Sequence, residues 1–159
     1  MSQNKPLRKS VKKEAQKGNK VKYDAYTEAF TRIKAANESN FFLEAVAIQE
    51  AIISDRLKSH LGHLGRLPKK KPPTLHDLVK VWKREIQVQN IVLEIKLADE
   101  VDQWRVLRNQ AVHGLVSARS VNDFLESAEA AAKTGEVLAR AVCAWHKKEI
   151  KKSRRGVPV

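Results

Sequence analysis

The sequence predicts an all-α fold, a single five-helix bundle with basic tails at both ends, and three observations predict it. Apolar residues recur at steps of three and four through most of the chain. Two segments, Thr74 to Asp77 and Ser120 to Asp123, open with the hydroxyl and the acid three positions later that mark a helix N-terminus. Nothing in the chain reads as a pair of alternating strands joined by a turn. At 159 residues the length suits one domain with a real core.

The first helix is expected from Tyr23, with Tyr26, Phe30 and Ile33 on one stripe and a break at "NESN". A long central helix follows from Phe41 through Val46, Ile53, Leu57 and Leu61, with Gly62 as its stop. The stretch "GHLGRLPKKKPP" then forbids regular structure and exposes Lys69, Lys70 and Lys71. A third helix begins after Thr74, on the stripe Leu75, Leu78, Val79, Trp82 and Ile86. "NIVLEIKLADE" alternates like a strand but has no partner, so it is read as irregular or helical. The fourth helix is placed from about Asp99 to His113, closed by Gly114. The fifth carries Phe124, Ala128, Ala131, Gly135, Leu138, Val142 and Trp145. Trp82, Trp104 and Trp145 fall on apolar stripes and are assigned to the core.

The formal charge of +13 is unevenly spread. Residues 1–22 hold eight Lys or Arg against Glu14 alone, and residues 147–159 hold six against Glu149 alone. The span 23–146 keeps 17 basic and 16 acidic side chains, so the domain proper is nearly neutral. Tails this charged and this poor in apolar residues are expected to be mobile and to attract phosphate polymers without sequence preference. The sole cysteine, Cys143, lies in a helical apolar segment and is read as a core thiol in a reducing compartment. No apolar run approaches a membrane span, and the first 20 residues lack an apolar leader core, so a cytoplasmic protein without membrane contact is expected.

The polar set in "RVLRNQAVHGL" carries the functional reading. At 100° per residue, Leu97, Val101, Leu107, Ala111 and Leu115 cluster near Trp104, and Arg108 falls about 40° from it, inside the buried face. A guanidinium there has to be paired or to line an interface. Its pairing candidates are Glu44, Glu50 and Asp55 of the second helix, and His113 in the last turn suits either a helix C-terminus or a proton-transfer role. Asn109 and His113, four apart, can touch. His60 and His63 have a two-residue gap that a metal can use, but there is no second closely spaced pair, so capping the second helix is the alternative.

"RNQAVHG" resembles the Arg-x(4–6)-His signature of the HEPN superfamily, with the polar Asn109 after the arginine. The likeness covers residues of about 23 to 146, although only the motif itself is specific. The resemblance implies a metal-independent and cofactor-free endoribonuclease of toxin or phage-defence type, working as a homodimer whose two motifs meet and kept in check by an antitoxin or other regulatory protein. It implies catalytic roles for Arg108, His113 and Asn109; apart from the resemblance, Glu44 and Asp55 of the second helix are the candidates to orient Arg108. RNA would then be gripped by Lys69, Lys70, Lys71 and Arg105. Leu115 stands where one subgroup has a tyrosine, so that subgroup's pattern is not matched. Because many relatives have lost activity, the alternative is a non-catalytic helical module binding nucleic acid or a partner.

Overall fold

The structure is a computed structural model, and it describes the backbone of residues 5–69, 72–89, 92–117 and 120–154. All five expected helices are present: α1 (Lys5–Glu38), α2 (Phe42–His63), α3 (Leu75–Gln89), α4 (Val92–Ser117) and α5 (Val121–Arg154). Among the described residues there is no strand. No helix among them is long and apolar enough to cross a membrane.

Several boundaries move from their expected places, each for a local reason. α1 begins at Lys5, so residues 5–22, expected as a mobile tail, continue the helix backwards. That stretch is rich in Lys, with Leu7, Arg8, Glu14, Ala15 and Gln16 also favouring helix, and Pro6 sits in the first turn, where its missing N–H costs nothing. α1 ends at a Schellman turn: Asn40 has φ 60°, and Phe41 N–H donates to Ala36 O at 2.8 Å.

α2 runs past Gly62, because the left-handed residue is Gly65 (φ 66°), where Arg66 N–H closes the same turn on Leu61 O at 2.7 Å. "NIVLEIKLADE" is helical from Val92 onward, and Gly114 does not stop α4, which continues to Ser117. α5 does not end at Trp145 but reaches Arg154 with Glu149 buried, so most of the expected C-terminal tail is structured. The remaining residues at both ends lie outside the described residues.

The Thr74 capping box closes in both directions, and Ser120 caps the start of α5 through its hydroxyl. Thr74 N–H donates to Asp77 Oδ2 at 2.9 Å while Asp77 N–H donates to Thr74 Oγ1 at 3.2 Å, and Asp123 N–H donates to Ser120 Oγ at 3.1 Å.

α2 is the central helix and touches the other four; α5 packs along it and along α4. α1 and α5 run antiparallel, since Asn37 near the end of α1 donates to Glu136 in mid-α5 at 3.1 Å, whereas Tyr26 shares a cavity wall with Cys143 and His146. The core is filled by Ile33, Ile53, Leu57, Leu61, Leu78, Val79, Val101 and Val142, with Trp82 and Trp104 fully buried. Trp145 lies against Trp82 and His60 with ring centroids 4.7 and 4.6 Å away. All three tryptophans are core residues, as expected.

The α2, α4 and α5 helices meet at a polar seam. Trp104 Nε1 donates to Ala131 O and the fully buried Gln49 Nε2 donates to Ala132 O, each at 2.8 Å. Gly135 allows this approach: a Cβ there would collide with Gln49 Oε1 and lie 2.7 Å from Trp104 Nε1.

Candidate functional site

The packing of α4 decides where Arg108 goes. Its buried stripe is Ala98, Val101, Trp104 and Ala111, and Arg108 sits at the edge of that stripe, where α4 faces α2. The guanidinium reaches Glu50 of α2 as an ion pair, and Arg108 Nη1 donates to Asn109 Oδ1 at 2.6 Å. Arg108 Nε is buried without a hydrogen-bond partner, and partial burial lowers the pKa of the guanidinium from its ordinary value. Of the three carboxylates weighed as its partner, Glu50 is the one that pairs.

These groups open onto a cavity of about 510 Å³ whose functional lining is Glu50, Lys58, His76, Arg105, Arg108 and Asn109. Ala47 and Ala51 of α2 leave the space between the helices. Arg105 is held by Asp102 Oδ1 at 3.0 Å, and Asp102 also faces Lys83 Nζ at 3.4 Å. Burial alone would raise the Asp102 carboxyl, but the two cations outweigh it and keep it below the ordinary range.

The other expected site residues lie elsewhere. His113 is exposed and does not line the cavity; the five residues from Arg108 turn it about 140° round α4. It is not a terminal residue either, since α4 continues and Ser117 Oγ donates to His113 O at 2.9 Å. Asn109 Oδ1 accepts from Arg108, not from His113. Glu44 lies in the first turn of α2 beside an apolar groove formed with Phe41 and Phe124. Asp55 takes the Tyr26 hydroxyl at 2.6 Å and Lys22 Nζ at 3.0 Å on the α1 side. Neither orients Arg108. Lys69 is exposed outside the cavity, and Lys70 and Lys71 lie outside the described residues.

Lys58 and His76 were not expected in this cavity. Lys58 was legible, being eight residues from Glu50 and four from Ser54 on one face of α2. His76 was not, because it enters through the packing of the first turn of α3.

His60 is buried against Trp145 and His63 Nε2 is 2.8 Å from Ser153 Oγ, so both serve the α2–α5 contact. Among the described residues no group of three or more His, Cys, Asp or Glu is placed to hold a metal ion. Cys143 is half-buried, and burial raises its thiol.

Compared with protein-family models, curated proteins and solved structures, the chain matches none.

Proposed function

We propose that this chain is a HEPN-type, metal-independent endoribonuclease that acts as a homodimer in the cytoplasm, as a toxin or phage-defence factor restrained by an antitoxin or regulatory protein. The observation that carries the reading is the cationic cavity around Arg108. A partly exposed guanidinium, Arg105, Lys58 and the Asn109 amide converge on a space that admits a phosphodiester.

RNA supplies its own nucleophile, the 2′-hydroxyl, so the protein has to move protons and stabilise charge. Arg108 offers a planar fork to the phosphate oxygens as negative charge builds on them. Glu50 is then the counter-ion that the phosphate displaces. His113 takes the 2′-hydroxyl proton or returns one to the leaving 5′-oxygen. The products are a 2′,3′-cyclic phosphate and a 5′-hydroxyl.

The separation of Arg108 and His113 in one chain is what a composite site requires. On α4, Val106, Asn109, His113 and Val116 fall within about 80° of one another, and the valines are exposed, Val116 at 93%. A stripe of exposed valines around a histidine supports a two-fold contact that brings the second copy's His113 towards Arg108.

The ion pair within one subunit favours a second reading, a non-catalytic helical module for nucleic acid or a partner protein, with Arg108 a packing residue. One experiment separates the two. Wild type and the Arg108→Ala, His113→Ala and His76→Ala forms are incubated with mixed-sequence RNA in excess EDTA and the product ends analysed. Cleavage to cyclic phosphates by wild type, lost with Arg108 and His113, is the expected result. Loss with His76 in place of His113 would move the proton transfer into one chain, and no cleavage by any form would leave the binding module.

A further inference from the structure

A second cationic cavity lies on the other side of α2, among α1, α2 and α5, with a volume of about 520 Å³. Arg56 stands about half a turn round α2 from Ala47, Ala51, Ser54 and Lys58, which line the Arg108 cavity. The two cavities therefore share no lining residue and no helix face.

The guanidinium of Arg56 is stacked on the Tyr26 ring, 3.8 Å from its centroid, and lies beside the Cys143 thiol. Its Nε is buried without a hydrogen-bond partner. Lys147 and Lys151 of α5 line the same space. Among the described residues none of these three cations has an ion pair; the one adjacent carboxylate, Asp55, is held by Tyr26 and Lys22 and also attracts Arg56 through space. With Lys22, Arg56, Lys147 and Lys151 against one carboxylate, the region keeps a net positive charge that favours an anion.

The aromatic wall narrows the kind of anion. Tyr23, exposed at 72%, Tyr26 and Phe30 give the cavity flat apolar surface next to its charge. Phosphate beside an aromatic face is the pairing that single-stranded nucleic acid presents in every nucleotide.

The fold also shows why one nucleotide is not the whole ligand. Because α1 and α5 are antiparallel, Lys20 and Lys22 of α1 and the lysines of α5 from Lys147 to Lys152 lie at the same end of the bundle. The cavity sits between them, so positive charge continues beyond its own lining.

We infer that the Arg56 cavity is an anchoring site for single-stranded nucleic acid, separate from the Arg108 cavity, with Arg56, Lys147 and Lys151 holding a phosphate and Tyr23 stacking a base. The site holds the strand and does not cleave it, so it stands whether or not Arg108 and His113 prove catalytic.

The test uses the full chain and a fluorescein-labelled 2′-O-methyl oligouridine of about 12 nucleotides, which has no free 2′-hydroxyl and fits the usual span of such sites. Binding is read by anisotropy over a salt series. Arg56→Gln is expected to weaken binding about tenfold and to remove about one from the slope of log affinity against log salt, while Lys34→Gln, a single charge removed at the far end of α1, does neither. The double variant Lys147→Gln, Lys151→Gln changes exposed lysines and gives the same readout if Arg56→Gln melts early. Cys143, the sole cysteine, reports on the cavity itself: bound oligonucleotide should slow its alkylation by iodoacetamide several-fold in wild type. Affinities of both cavity variants equal to that of Lys34→Gln, or alkylation of Cys143 unaffected by the oligonucleotide, would overturn the proposal and assign nucleic-acid binding to other surfaces.

Discussion

Arg108 and Glu50 join α4 to α2 through an ion pair whose side chains are 23% and 26% exposed. That intermediate exposure sets the character of the site. A fully buried pair is committed to the fold, and a fully exposed one contributes little to it. Here the carboxylate pairs with the guanidinium in the free protein but leaves its Nε without a partner, and the group stays open to an anion arriving through the cavity.

Glu50→Gln should therefore separate stability from binding. Removing the counter-charge leaves a half-buried guanidinium with only Asn109, at a cost of about 1–2 kcal/mol, below the 3–5 kcal/mol of a fully buried pair. The same change removes the competitor for phosphate, so affinity for uncleavable RNA should rise. Chemical denaturation and RNA binding on the one variant check both signs; unchanged or weaker binding would remove the Arg108 cavity from the RNA path.

Gly135 is a structural residue of α5, and its replacement should be felt at once. Gly135→Ala inserts a methyl group between α5 and the pair Gln49 and Trp104, whose donors are fixed on the Ala131 and Ala132 carbonyls. Helix propensity favours alanine by up to about 1 kcal/mol, but overpacking of a fixed seam costs about 1–3 kcal/mol. A net loss in thermal melting is expected. A more stable Gly135→Ala protein would mean that the seam relaxes freely.

At the far end of α5, Lys152 holds two carboxylates. Its Nζ is 2.6 Å from Glu149 Oε1 and 3.6 Å from Glu94 Oε1, and both glutamates are buried. Lys152→Met should cost about 1–3 kcal/mol, moderated because the lysine itself is open to solvent, and adding Glu149→Gln should recover part of the loss. Simple additivity of the two changes in a double-mutant cycle would show that the three charges are not coupled.

The helices were legible because local chemistry determines them: the period of three and four, and the hydroxyl and acid pairs at Thr74 and Ser120. Their ends were less so. Gly62 and Gly114 read as stops, yet a glycine ends a helix only where the chain needs a left-handed residue, and that need falls at Gly65 and Asn40. "HKKEIKK" reads as a tail because its buried glutamate is hidden among lysines, and only the fold reveals that Lys152 neutralises it. In the candidate site, Arg108 was legible as an arginine in an apolar face. Its partner was not, because Glu44, Glu50 and Asp55 all lie on α2 and only the crossing of α4 selects among them. His76 and the Arg56 cavity depend on three helices meeting, which no local pattern encodes.

The pH dependence of stability should come first from histidine. His146 is 3% exposed, and burial pushes its pKa down to about 4, helped by the nearby charges of Arg56, His60 and Lys22 and opposed by Asp55. His60 is lowered in the same direction, again chiefly by burial, with Glu149 and Glu85 opposing and His63 assisting. An unfolded imidazole takes its proton near the ordinary value of 6.5 while the folded His146 waits until about 4, so between these values the unfolded state binds more protons. Stability must then fall as pH drops from 6.5 towards 4, by no more than about 1.4 kcal/mol per pH unit for each imidazole, and the histidines add no slope above 6.5. Asp55 and Asp102 are held below the ordinary carboxylate value of 3.8, so the stability they contribute is lost below about pH 5 and overlaps only the acid end of the window. Denaturation at pH steps through this window, on wild type and His146→Gln, checks the assignment: the variant should give the flatter profile, and identical slopes would mean that His146 does not titrate as a buried neutral group.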